Sequence, residues 1–284
     1  MKIFCRRIVV NKPAMLKKQG PLLLASNHPN SFLDAIILDI LFEQMFPVYR
    51  VSEGVENLNI NYETFESCKK LFHKKGLVLI FSEGKCINEW HLRPLKKGTA
   101  RLAINSWEEN IPLEVLPVGI NYSSFRRFGK NVFINFGDII VKEDIPRNSS
   151  QGTRYQAFNN KLQQQLNGLV YEINKQDREK KQTLLEKKPG RLSRVIFALP
   201  ALMGWLTHLP LYLPVQKITY IKTAHNDHFD SMMAAVLLFT YPFYLLLLSL
   251  ITYYVTGSSF SFLLLIFLPL TAWCYVQVKS QLDK

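Results

Sequence analysis

The sequence predicts an α/β fold, a mixed sheet flanked by helices, followed by a helical hairpin in a membrane. Three observations lead there. Short apolar runs alternate with helical stretches over residues 1–190. Two of those runs end in polar turns that hold a histidine, a glutamate and cations. Two nearly charge-free runs close the chain, each as long as the roughly 20 residues a helix needs to cross a bilayer.

Taken in order, the strand predictions fall at 3–10, 22–25, 47–51, 77–81, 115–121 and 132–136, and the helices at 32–42, 61–75, 98–109 and 151–174. In sheets of this kind the polar groups just past the carboxyl ends of the strands make the site. His28, Arg50 and Glu83 all stand at such ends. No internal repeat interrupts the pattern.

His28 follows the apolar run Leu22-Leu23-Leu24-Ala25, and Asp34 lies just inside the next helix. An imidazole there can accept a proton near neutral pH, and a carboxylate on its other nitrogen would set the tautomer and stabilise the imidazolium. The same residues also fit a plain turn histidine and a first-turn acid facing the helix dipole. The second strand end, Phe81-Ser82-Glu83-Gly84-Lys85, supplies an acid, a glycine and a cation for a shared edge.

With both segments in view, the chain resembles the glycerolipid acyltransferases, which acylate glycerol-3-phosphate and 1-acylglycerol-3-phosphate. Asn27, His28 and Asp34 are similar to that family's first motif, with one residue more between histidine and aspartate. Phe81-Ser82-Glu83-Gly84-Lys85-Cys86 resembles its Phe-Pro-Glu-Gly-Thr-Arg block, Phe46-Pro47-Val48-Tyr49-Arg50 its strand ending in arginine, and Leu116-Pro117-Val118-Gly119 its final Val-Pro-Val block. The resemblance runs from about residue 20 to about residue 125. It implies an acyltransferase-like domain over 1–190, with a membrane-associated region over 191–284.

The reaction so implied moves a fatty acyl group from acyl-CoA or an acyl carrier protein thioester to a glycerol-phosphate or lysophospholipid hydroxyl, without a further cofactor or metal. By resemblance His28 is the general base and Asp34 holds its ring. Arg50 comes first for the acceptor's phosphate, with Lys85, Arg93, Lys96 and Lys97 as further cations. Glu83 would orient the acceptor or the cation beside it, or serve as a structural acid paired with Arg50 or Lys85, and Gly84 would let the backbone turn tightly. Cys86 stands where the family has an arginine, so the anion contact supplied there comes from Lys85, Arg93 or nothing.

Two departures carry structural consequences. One added residue turns an ideal helix by about 100°, so His28 and Asp34 can meet only if Pro29 to Ser31 form an irregular lead-in. The longer spacing resembles that of fungal glycerol-3-phosphate acyltransferases. The stretch from Asp34 to Arg50 is too short for the strand, helix and basic loop that usually separate these blocks, which leaves room for an alternative: a catalytically impaired homologue acting as a lipid-binding membrane protein.

Composition agrees with work at a membrane. The chain has 284 residues, a formal charge of +13 and 48% hydrophobic residues. The spans are expected at about 231–255 and 260–278, broken at Gly257-Ser258-Ser259. A third apolar stretch, 195–215, is cut by Pro200, Pro210 and Pro214 and reads as an interfacial or re-entrant piece. Cations from Arg178 to Arg194, then Lys217, Lys222, Lys279 and Lys284, place both ends of a hairpin and the catalytic part on the cytoplasmic side, in a bacterial inner membrane in preference to the endoplasmic reticulum. Nucleic acid is not an expected partner, because the cations border apolar segments and no zinc-finger, RNA-recognition or nucleotide-loop pattern occurs. Cys5, Cys68, Cys86 and Cys274 have neither metal-ligand spacing nor a pairing framework, and no cleavable signal is evident near the start.

Overall fold

A mixed sheet of five strands organises the computed structural model, which describes residues 4–42, 58–146 and 149–283. The strands are β1 (Cys5–Val10), β2 (Leu22–Ser26), β3 (Leu77–Phe81), β4 (Glu114–Tyr122) and β5 (Lys130–Phe136), in the spatial order β1-β5-β4-β2-β3. β2 lies inside the sheet, between β4 and the edge strand β3, and is parallel to both, with Leu22 opposite Leu77 on one side and Glu114 on the other. Its apolar run Leu22 to Ala25 has that cause: both faces are buried, and the one polar residue, Ser26, closes the strand. The strand expected at 47–51 lies outside the described residues.

The eight helices among the described residues are α1 (Phe32–Leu41), α2 (Leu58–His73), α3 (Lys97–Glu108), α4 (Gln151–Leu169), α5 (Arg178–Leu185), α6 (Arg191–Lys222), α7 (Phe229–Thr256) and α8 (Leu264–Val278). The chain divides into two compact units, one of residues 9–121 and 133–177, the other of residues 1–8, 122–132 and 178–284.

In the first unit, Leu23, Val78, Val115, Trp107, Phe158 and Leu162 build the core between the sheet and helices α3 and α4. Trp107 is held by its indole N–H, which donates to the Leu113 carbonyl at 2.8 Å. α4 stops at Leu169, short of the expected 174, and side chains explain where. Asn121 and Asn135 both donate to the Leu169 carbonyl, at 3.0 and 2.8 Å, while Tyr171 N–H donates to Asn121 Oδ1. The last-turn carbonyl is thereby satisfied by partners distant in sequence, and the chain leaves the helix. Gly119 permits this approach, since a Cβ there would stand 2.6 Å from the Leu169 carbonyl oxygen.

In the second unit, Lys130 on β5 is buried and paired with Asp230 at the start of α7, with the Phe4 and Tyr122 rings 5.2 and 5.8 Å away. Asn131 donates to Gln281 and to the Leu185 carbonyl, so residues just after α8 are tied to the strand. The three helices α6, α7 and the segment Ser259–Val278 are each long and apolar enough to cross a membrane. They carry most of the exposed large hydrophobic side chains, which suggests association with a membrane.

Here the structure differs from the reading of 195–215 as a stretch cut up by its prolines. α6 runs unbroken for 32 residues through Pro200, Pro210 and Pro214. α7 and α8 pack against it between its prolines. Gly204 touches the backbone of Thr271, Tyr244 donates to the Thr207 carbonyl at 2.6 Å, and His208 Nε2 lies 3.0 Å from the Tyr241 hydroxyl.

Candidate active site

β2 and β3 end side by side, Ser26 opposite Phe81, and the chain beyond each strand builds one polar edge. The first residue past β2, Asn27, extends the sheet with its side chain. Its amide donates to the Ile120 carbonyl at 3.0 Å and its Oδ1 accepts the Ile120 N–H at 2.7 Å, repeating the ladder pattern that β2 makes with β4. Ser26 Oγ adds a bond to the Val118 carbonyl at 3.0 Å. These contacts fix the backbone immediately before His28. Asn27→Ala removes both bonds and strands two buried backbone groups, for an expected loss of about 1–3 kcal/mol, read as a lower urea midpoint with unchanged slope.

The next turn is the irregular lead-in that the spacing requires. Ser31 has φ 50°, and α1 starts at Phe32 with Ser31 as its N-cap residue. A positive φ is uncommon outside glycine and here reverses the chain. Cys86 supports the reversal, its Sγ lying 2.8 Å from the Ser31 N–H. Asp34, on the first turn of α1, is thereby carried back to His28 despite the added residue. Its Oδ2 accepts both His28 Nδ1 at 2.8 Å and the Asn30 N–H at 2.8 Å.

The protonation pattern follows. A carboxylate only accepts, so Nδ1 carries a hydrogen and, in the neutral imidazole, Nε2 keeps its lone pair. Asp34 has no exposed side-chain surface and His28 keeps 12%. The imidazole lies flat on Phe81, with ring centroids 3.8 Å apart and planes 9° from parallel. Between the carboxylate and the ring the imidazole has a single orientation.

Glu83 braces this arrangement from β3. One oxygen accepts the His28 backbone N–H at 2.6 Å and the other the Arg93 backbone N–H at 2.8 Å. Burial pushes its carboxyl above the ordinary range, opposed by those two backbone donors and by the His28 charge, with Asp34 adding to the rise. Gly84 follows with φ +73°, and a Cβ there would stand 2.9 Å from the Lys96 side chain, so both conformation and space favour glycine. Ser82 ties the start of α3 to the same edge, its carbonyl accepting the Lys96 N–H at 2.8 Å and its Oγ the Thr99 hydroxyl at 3.0 Å.

His28, Asp34, Glu83 and Gly84 are thus brought together. Arg93 joins through its backbone, whereas its guanidinium is turned to Glu89 at 3.1 Å. Lys85, Lys96 and Lys97 are exposed. Arg50 lies outside the described residues. Asn27, Phe81 and Cys86 are the supporting residues that sequence reasoning passed over as positioning groups. For Asn27 the signal was present, an amide directly beyond a fully apolar strand, where it can substitute for the next rung of the ladder.

Comparison with known proteins bears on this edge. The family model described as Acyltransferase matches residues 47–121, a stretch that includes Glu83 and Gly84 and begins after His28 and Asp34. Glycerol-3-phosphate O-acyltransferase 2 of Saccharomyces cerevisiae is 32% identical over 95 residues, which is 33% of this chain and 12% of that protein's length. The crystal structure of the 1-acyl-sn-glycerophosphate (LPA) acyltransferase PlsC from Thermotoga maritima aligns with a TM-score of 0.40 at 17% identity, covering 59% of this chain and 73% of that one.

Proposed function

We propose, from the premise that this chain belongs to the glycerolipid acyltransferase family, that it transfers a fatty acyl group from an acyl thioester to the hydroxyl of a glycerol-phosphate or lysophospholipid acceptor in phospholipid synthesis. The observation that carries the reading is the 2.8 Å bond between His28 Nδ1 and Asp34 Oδ2, which leaves Nε2 as the one basic ring atom at a strand end. In the reaction Nε2 takes the acceptor's hydroxyl proton while that oxygen attacks the thioester carbonyl. The tetrahedral intermediate then expels the thiolate, the carbon–sulfur bond breaks, and the proton on Nε2 passes to sulfur. Asp34 stabilises the transient imidazolium between those two events.

Cations for the acceptor's phosphate would come from the loop after Glu83, where Lys85 is exposed, with Arg50 assigned from the resemblance alone. The thioester, from coenzyme A or an acyl carrier protein, is a co-substrate, and the proposed chemistry uses no further cofactor. The three apolar helices would anchor the protein in a bacterial membrane, with the catalytic part on its cytoplasmic face, where lysolipid and product partition.

The test is product identification. Purified full-length protein, given a radiolabelled acyl thioester and glycerol-3-phosphate, lysophosphatidate or another lysolipid in turn, is expected to form the matching acylated lipid, identified by mass spectrometry. Release of free fatty acid without any acceptor would replace this reading with a thioester hydrolase, and bound lipid with no turnover would replace it with a lipid-binding protein.

A further inference from the structure

His91 and Glu172 form a second histidine–carboxylate pair, apart from that of His28 and Asp34, with His91 Nδ1 2.6 Å from Glu172 Oε2. Both side chains are half exposed, and as an ion pair alone such a contact contributes little. Its backbone contacts set it apart. The other Glu172 oxygen accepts the Leu92 N–H at 2.8 Å, and the Ile173 N–H donates to the Trp90 carbonyl at 2.9 Å. Three consecutive residues, Trp90, His91 and Leu92, are therefore held by two, Glu172 and Ile173.

Both sides of this strap are anchored. Ile173 is fully buried, and Tyr171 gives its N–H to Asn121 Oδ1 on β4 at 2.7 Å, so Glu172 projects from a fixed segment. On the other side, the N–H next after that of Leu92, from Arg93, goes to Glu83 Oε1 at 2.8 Å, and Glu83 Oε2 takes the His28 N–H at 2.6 Å. Two adjacent backbone donors thus meet two different carboxylates, one from the strap and one from the strand end that carries the candidate site. The start of the same loop also returns to the histidine turn, where the Ile87 N–H donates to the His28 carbonyl at 3.2 Å. Glu83 is buried, and a buried carboxylate depends on such donors. Freeing residues 90–92 would withdraw the Arg93 donor and loosen the carboxylate that fixes His28.

We propose that Glu172 is a positioning residue for His28: it pins residues 90–92, which keeps the Arg93 N–H on Glu83 and thereby keeps Glu83 on the His28 backbone. The rate effect rests on the acyl-transfer reading, whereas the coupling itself rests on the hydrogen bonds. A base displaced by a fraction of an ångström loses turnover while the substrate groove still binds, so the effect falls on kcat. Glutamine at position 172 preserves the contacts. Its carbonyl accepts the Leu92 N–H and its amide donates to a ring nitrogen of His91, whereas alanine offers neither.

The experiment compares the full-length native protein with Glu172→Ala, Glu172→Gln and Asp138→Ala, the last of which removes the exposed ion pair with Lys12. Amide hydrogen exchange and initial rates of acyl transfer are measured well below the unfolding temperature. In Glu172→Ala the amides of Leu92, Arg93 and His28 are expected to exchange about tenfold faster. Its kcat is expected to fall by about tenfold, with KM for the thioester within about twofold of the native value. Glu172→Gln and Asp138→Ala are expected to stay within about twofold of the native protein on both readouts. Faster exchange confined to Leu92 and Arg93, with His28 unchanged, would make Glu172 a fastener of the loop alone and overturn the proposal. So would unchanged exchange throughout, or a loss in Glu172→Gln equal to that in Glu172→Ala, or equal losses in all three variants. A native protein that transfers no acyl group would end the acyl-transfer reading by itself, and exchange at His28 would still decide the coupling.

Discussion

Replacing His28 by asparagine is expected to slow acyl transfer by about 10³-fold, within the range of a positioned general base, while the protein stays folded. Asparagine is the informative choice. Its amide can still donate toward Asp34, whereas alanine would take from a fully buried carboxylate its imidazole partner and risk a loss of about 3–5 kcal/mol from breaking the pair. The variant therefore separates loss of Nε2 from loss of the fold. Initial rates at saturating thioester, with circular dichroism to confirm folding, supply the measurement. A rate within about tenfold of the native value would remove His28 from the chemistry.

Asp34→Asn addresses the next step of the same argument and should cost on the order of 100-fold, comparable to removing one preorganised electrostatic contact. The Asp34 oxygen that meets His28 Nδ1 also meets the Asn30 N–H. Both partners donate, so the oxygen of an asparagine amide, not its nitrogen, fits that place. The tautomer of His28 is then preserved and the negative charge alone is lost. The expected signature is a fall in kcat with an unchanged KM, because the charge is needed only once the imidazolium forms. A change confined to KM would instead assign Asp34 to substrate binding.

These two residues also show how much of the site was legible beforehand. Their identities followed from a histidine and an acid at a strand end and from the family resemblance, and the need for an irregular lead-in at Pro29 to Ser31 from helix geometry, since one residue more than the family's spacing rotates Asp34 away unless the helix starts late. The structure meets that condition with φ 50° at Ser31 and a helix start at Phe32. What local reasoning could not supply was the support: Cys86 beneath Ser31, Phe81 against the imidazole, and both oxygens of Glu83 on backbone donors. Each of these partners lies at least 50 residues away along the chain from the His28 turn or is chosen by a register between strands. Arg93 illustrates the converse, a cation legible in sequence whose guanidinium is turned to Glu89 while its backbone N–H serves the site.

Sequence alone determined the α/β alternation, the strands that carry the site and the apolar character of the C-terminal third, because periodicity and a shortage of charge are local properties. Tertiary structure decided where elements stop, how far they continue and what holds the imidazole. α4 ends at Leu169 because Asn121 and Asn135 take its last carbonyl, and α6 continues through three prolines beside α7 and α8. At the end of α4 a leftover backbone acceptor is satisfied by side chains from other elements, and along α6 the neighbouring helices pack against it; in both cases only folding brings the partners together.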